Sequence, residues 1–217
     1  MPISLAVTEA ITSINEAESR FNLSRNSDLQ FFSEWQENLP ELTQAERQTL
    51  DRIKNSYLYN SADGAMTEAT VNLLLVSPLL YLAGFCDPPY KRRGEKSVEI
   101  AVEERDEIYR GRIDALVLQN QFWLTLVESK QTKFSFSVAI PQALAYMMAN
   151  PHSARSTFGL VTNGDSFLFI KLVKEPVAQY DLSTDFSIFA RPQNELYEVL
   201  RVMKRIGALI APAESNN

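Results

Sequence analysis

At Ser97 the hydrophobic period of the chain changes. Upstream, apolar residues recur at three- and four-residue spacing; from Ser97 onward Val98, Ile100 and Val102 alternate with Glu99, Ala101 and Glu103. A period near 3.6 specifies helix, and a period of two specifies a strand with one covered face. The chain must therefore lay down helices first and a sheet after them. Glu103-Glu104-Arg105-Asp106 turns the chain into a second strand reaching Leu118, and Gln119-Asn120-Gln121 turns it into a third. That third strand, Phe122–Val127, is apolar on both faces except at Thr125, as expected in the middle of a sheet covered on both sides. The three strands read as an antiparallel meander.

The flanking segments complete an α/β order. A helix is expected over roughly residues 4–21, where Leu5, Ile11, Ile14 and Phe21 are partly in phase, and Phe31, Phe32 and Trp35 suggest another. Thr43 and Glu46 fit a capping box opening a helix through Leu50, Ile53 and Tyr57. A further helix is expected from Met66 to Leu82, entered at Asp63-Gly64 and stopped at Gly84, with a kink or break at Pro78. Cys86–Lys96 reads as loop. After the meander come a helix over Val138–Ala149, a strand over Phe158–Thr162, and its hairpin partner over Phe167–Val173 across an Asn163-Gly164 turn. Leu196, Val199, Leu200, Met203, Ile206 and Ile210 make an amphipathic closing helix. The core order is helix, three strands, helix, strand. Residues 1–62 read as a helical extension packed on a domain spanning 63–212, with 213–217 a frayed tail.

Composition narrows the admissible chemistry. The longest apolar stretch, Val71–Phe85, contains Asn72, Ser77 and Pro78 and is shorter than the ~20 residues a membrane span needs. The N-terminus lacks the basic and apolar regions of a secretory signal, so a cytoplasmic location is expected. Cys86 is the one cysteine and His152 the one histidine, which excludes an internal disulfide, a Cys-rich zinc site and any two-His metal site. The net charge of −6 is unevenly spread: residues 1–90 carry 12 acidic and 5 basic side chains, residues 91–133 carry 8 and 9, and the rest 7 of each. Lys91, Arg92, Arg93 and Lys96 form a local basic cluster able to contact phosphates, although for a cluster this short a solvated loop is the commoner explanation.

Three charges interrupt the apolar strands. Asp114 lies inside the second strand, and Glu128 and Lys130 close the third. Charges withdrawn from water need partners, hydrogen bonds or a metal. Glu128 and Lys130, at i and i+2, emerge on one face. Whether Asp114 shares that face depends on the hairpin: a three-residue connection (119–121) sets Asp114 opposite Leu126 on the Glu128 face, whereas a two-residue connection turns it away unless a bulge restores it. Two converging carboxylates without histidine or thiolate suit Mg²⁺ or Mn²⁺. A neighbouring lysine fits transfer of an oxygen nucleophile to phosphorus, positioning water or neutralising charge in the transition state. From the residues alone the alternative stays open that these are ordinary polar groups at strand ends, with Asp114 pairing with Arg112.

The wider pattern resembles a known superfamily. Gly-Arg-Ile-Asp114, thirteen intervening residues and then Glu128-Ser129-Lys130 resembles the PD-(D/E)XK nucleases, with Ile113 where the name has proline. Gln142-Ala143-Leu144-Ala145-Tyr146 looks like the QxxxY motif of the helicase-associated branch, and residues 159–172 (GLVTNGDSFLFIKL) resemble the last strands of the N-terminal nuclease domain of type I restriction enzyme R subunits. The resemblance covers about residues 63–173. It implies a restriction-endonuclease-like αβββαβ core, a central mixed sheet flanked by helices, and Mg²⁺-dependent cleavage of DNA phosphodiester bonds. It also implies that Asp114, Glu128 and the Ser129 carbonyl hold the metal with Glu68, and that Lys130 serves the attacking water. Gln142 and Tyr146 would orient the site or touch DNA, alongside Lys91, Arg92, Arg93 and Arg112. R subunits are long motors, so sequence-specific restriction by this chain alone is not expected. A helicase or specificity protein is the implied partner, and a symmetric dimer is the simplest route to double-strand cutting. A non-catalytic module of the same fold, binding DNA or a protein through its acidic helices, is the competing expectation.

Overall fold

The computed structural model describes residues 3–90, 92–93, 96–102, 107–113, 115–118, 122–126, 136–150 and 155–211. The elements are β1 (Ile3–Ala6), α1 (Val7–Ala10), α2 (Ile14–Phe21), β2 (Ser24–Arg25), α3 (Gln44–Ser61), α4 (Glu68–Val71), α5 (Ser77–Leu82), β3 (Arg92–Arg93), β4 (Lys96–Val102), β5 (Glu107–Ile113), β6 (Ala115–Leu118), β7 (Phe122–Leu126), α6 (Phe136–Met148), β8 (Thr157–Thr162), β9 (Ser166–Val173), β10 (Gln179–Ser187) and α7 (Leu196–Ile210). Seven strands form a mixed sheet in the order β2-β10-β9-β8-β7-β6-β3, and β1-β5-β4 form a second sheet. The architecture is α/β.

The centre is a crossover. β7 and β8 pair in parallel, joined through α6, and β8 is buried along its whole length. Alternate side chains of β8 serve different layers: Phe158 and Leu160 pack with Leu50, Leu79 and Val199 of α3, α5 and α7, whereas Val161 packs with Ala143 and Leu144 of α6. Gly159 lets α6 approach, since a Cβ there would stand 2.9 Å from Met147 Sδ. On β9, Phe167 and Phe169 join the α3–α5–α7 side while Leu168, Ile170 and Leu172 join the α6 side. Two helical layers thus clamp one sheet.

Several expectations need correction. The helix expected over 4–21 is strand β1 followed by two short helices. Ser13 breaks the run: its hydroxyl accepts the Glu16 N–H, and the Glu16 carboxylate accepts the N–H groups of Thr12 and Ser13, so a capping box starts a new helix there. The helix suggested by Phe31, Phe32 and Trp35 is a single 3₁₀ turn, Ser33–Trp35. Before it, Asn26 and Asp28 side chains take the backbone N–H groups of Asp28 and Gln30, a local alternative to helix. The Met66–Leu82 helix is entered at Thr67, whose hydroxyl accepts the Thr70 N–H, not at Asp63-Gly64. Pro78 is accommodated by a π turn over Asn72–Val76, with Ser77 Oγ donating to Asn72 Oδ1 across the widened turn. The stop at Gly84 (φ 80°) holds: Gly84 N–H bonds Tyr81 O and Phe85 N–H bonds Leu80 O, which closes the helix in a Schellman arrangement. The loop expected over Cys86–Lys96 contains β3, and the second meander strand is divided into β5 and β6, which belong to different sheets.

Neither β2 nor β10 is among the expected strands, and β10 carries an irregularity. Its register against β9 shifts between Leu182 and Asp185, so Tyr180 packs on the α6 side and Phe186, six residues on, packs on the opposite side. The extra residue reverses the alternation within the strand. Ser183 Oγ accepts the Phe169 N–H at the shift.

One of the two capping groups of α3, Glu46, ties it to Lys204 of α7. Burial, the largest influence on Glu46, pushes its pKa up, but hydrogen bonds from Lys204 and Thr43 outweigh it and hold the carboxyl below its usual range. A depressed carboxylate stabilises the fold above its unfolded pKa, and that contribution is lost as pH falls through the lower folded value. Glu46→Gln should therefore reduce the acid sensitivity of urea denaturation between the two values while lowering stability at neutral pH. Phe169→Ala, at a site 0 % exposed and 6.1 Å from the Phe186 ring, should lower unfolding free energy by about 3–5 kcal/mol in the same titration.

Candidate functional site

The described residues nearest in sequence to the expected Glu128 and Lys130 form the carboxyl end of β7, beside that of β8, the kind of place where open α/β sheets bind ligands. β7 ends at Leu126, paired with Thr162 at the end of β8. Glu128, Ser129 and Lys130 follow β7 and, like Asp114 and Lys91, lie outside the described residues. The strands on either side of them are described. β6 and β7 pair as Ala115↔Thr125, Leu116↔Leu124, Val117↔Trp123 and Leu118↔Phe122, leaving residues 119–121 between them. This is the register of the three-residue connection, on which convergence of Asp114 with Glu128 depends.

Arg93 pairs with Val117 in the seven-stranded sheet, and Lys96 with Ile113 in the three-stranded one. Arg92 and Arg93 lie on the outer strand of the seven-stranded sheet, next to β6, and Arg112 lies opposite Ser97 on β5.

Glu68 comes to the same sheet end. It is the half-buried first residue of α4, one turn before Val71 and so on the same helix face. Val71 presses on the β8–β9 turn: a Cβ on Gly164 (φ 92°) would stand 2.9 Å from Val71 Cγ1 and 2.5 Å from Tyr57 Oη. The turn is held from within, Asn163 Oδ1 accepting the N–H groups of Asp165 and Ser166, and Thr162 Oγ1 accepting that of Gly164. From outside, Tyr57 Oη donates to Asp165 Oδ1 at 2.8 Å. Burial, then this bond and the carboxylate charge, push the Tyr57 phenol far above its usual pKa, so it stays a donor. Nothing in the sequence pointed to the Tyr57–Asp165 pair, because its members stand 108 residues apart and each has a ready local explanation.

The α6 residues are set differently. α6 runs back from the carboxyl end of β7 to the start of β8, so Gln142, half-buried, lies about one helical turn nearer the site end than Tyr146. Tyr146 is 4 % exposed and packs among Ala143, Met147 and Val161. Its ring is a core element and is not displayed at the surface as a contact to nucleic acid requires.

Among the described residues no group of three His, Cys, Asp or Glu side chains is placed to hold a metal. Among them, too, no helix is long and apolar enough to cross a membrane. Compared with known proteins, the chain matches no family model and no curated relative.

The contact between α4 and the turn is testable. Gly164→Ala forces a left-handed backbone on an L residue and drives a methyl group into Tyr57 and Val71. It should lower the melting temperature more than Tyr57→Phe, which removes one hydrogen bond of about 0.5–1.5 kcal/mol; equal melting points would show that α4 does not press on the turn.

Proposed function

We propose that the chain is a metal-dependent deoxyribonuclease with a restriction-endonuclease-like core, similar to the nuclease domains of type I restriction R subunits. The observation that carries this reading is the β6–β7 register. Of the two hairpin registers it is the one in which Asp114, if it continues β6, shares a face with Glu128 without a bulge, and it occurs beside a parallel β7–α6–β8 crossover at whose carboxyl end α4, opened by Glu68, packs on the β8–β9 turn.

The donor set fits a hard divalent cation. Asp114, Glu128, the Ser129 carbonyl and Glu68 are all oxygen donors, the class preferred by Mg²⁺ and Mn²⁺. Such an ion supplies Lewis acidity toward a phosphate oxygen. The chain's own groups do the remainder. Lys130, carried two residues beyond Glu128, holds the attacking water by hydrogen bonding and offsets negative charge as the phosphorus centre is attacked. Gln142 orients the site from α6. Arg92 and Arg93, on the outer strand beside β6, and Arg112 meet the DNA backbone, which carries no sequence information and accords with a nuclease of low sequence preference.

The acidity of residues 1–90 favours the competing reading of a non-catalytic module. Calorimetric titration of Mn²⁺ and Mg²⁺, with and without DNA, separates the two. Wild type should bind metal, Asp114→Asn and Glu128→Gln should lose that binding with unchanged melting, and Lys130→Ala should keep it while cleavage falls about 10²–10⁴-fold. Equal metal affinity in all four proteins, DNA present, would refute the site.

A further inference from the structure

Beside the sheet end that carries Glu68 lies a cleft of about 430 Å³, lined among others by Tyr57, Leu58, Ser61, Met66, Asp165 and Phe189. Its volume falls within the roughly 300–1,000 Å³ typical of small-molecule sites. Met66 stands two residues before Glu68, and Asp165 three residues past the end of β8, so the cleft opens at the sheet end that α4 covers. Its rim carries an aromatic ring that the fold leaves in water: Phe189 is 54 % exposed, although it follows the buried Ile188. Met66 and Leu58 make an apolar wall.

The polar side of the cleft has one sign. Among the described residues Asp165 is the charged member of its lining, a group that attracts hydrogen-bond donors and repels a phosphate. The carboxylate accepts one hydrogen bond, from Tyr57, through Oδ1. A carboxylate has about four acceptor positions, so most of its capacity remains for a ligand that donates. An aromatic ring exposed for stacking, an apolar wall and a fixed acceptor together suit a nucleobase presenting N–H groups.

The geometry points to this cleft as a pocket for an unpaired guanine of the nucleic acid strand being processed. Guanine presents two adjacent donors, N1–H and the exocyclic amino group, that can meet a carboxylate as parallel hydrogen bonds. N1–H is engaged in a paired duplex, so the pocket takes a base that is single-stranded, frayed or flipped out. The inference rests on the nuclease reading for the identity of the polymer and adds that its substrate is unpaired at the position next to the cut. Asp165 and Phe189 are its recognition residues, while Tyr57 holds Asp165 in orientation.

The test is a metal-free titration of the full chain with deoxyguanosine, deoxyadenosine, deoxycytidine and thymidine, followed through the backbone amide signals of Gly164 and Phe189. Deoxyguanosine should bind at least about tenfold more tightly than thymidine, and Phe189→Ala and Asp165→Asn should each weaken it by about tenfold or more. Phe189 is exposed and Asn keeps an acceptor for Tyr57, so both variants should melt as wild type does; if Asp165→Asn does not fold, Phe189→Ala decides alone. Equal response to all four nucleosides, no response, or an unaltered Phe189→Ala overturns the pocket. A parallel cleavage assay on single-stranded DNA keeps the two readings apart. Cleavage without a nucleoside response overturns the pocket only, and a guanine response without cleavage under any divalent metal overturns the nuclease reading only.

Discussion

The close packing of α6 on β8 is the constraint from which the remaining geometry follows. A strand buried on both faces has no side on which a polar residue is cheap, and β8 carries a glycine at the point where Met147 descends on it. With α6 seated there, β7 and β8 must run parallel, because a helical crossover returns the chain to the same end of the sheet. Parallel strands present their carboxyl ends together. Leu126, the last residue of β7, and the turn leaving β8 are therefore neighbours, and α4 is drawn over that turn by the contact of Val71 with Gly164.

Polar chemistry at this end depends on groups that hold one another. Asn163 and Thr162 consume the turn's own amides, which leaves the Asp165 side chain to be fixed by Tyr57 from α3. The Lys171 ammonium does comparable work on β9, binding Phe31 O at 2.7 Å and Glu34 Oε1 at 2.5 Å, and so fastens the 3₁₀ turn to the sheet. Each bond joins the first third of the chain to the last. The acidic N-terminal elements are thereby structural partners of the sheet, since β1 pairs with β5 and β2 with β10.

Legibility in the sequence followed the strength of local signals. The Thr43–Glu46 capping box, the Gly84 stop and the amphipathic run from Leu196 to Ile210 each carry their structural instruction within a few residues, and each appears in the fold. The β7–α6–β8 order was equally readable, because an apolar run flanked by turns has few alternatives. Ser13–Glu16 carried the same capping signal as Thr43–Glu46 but was masked by the apolar residues on both sides of it. β10 was illegible for a different reason: its bulge reverses the alternation that marks a strand. The candidate site was legible only as a pattern of charges. The register that allows two of them to meet could be stated beforehand as one of two arithmetic possibilities, but a turn's length is set by hydrogen bonding that the sequence of residues 119–121 does not reveal. The cleft at Asp165 and Phe189 had no local signature, since it is assembled by three segments distant in the chain.

The pairing of β2 with β10 has a consequence for how the molecule is assembled. Arg25 and Asp181, hydrogen-bonded at 3.0 Å, are separated by 156 positions. Ordering Ser24 and Arg25 against Gln179 and Tyr180 requires closure of a long loop, and the entropy of that closure is lost before the contacts are gained. During synthesis Ser24 and Arg25 emerge well before Gln179 and Tyr180 and cannot pair until β10 is made. Closing this edge of the sheet is thus set by topology more than by the stability of any single helix.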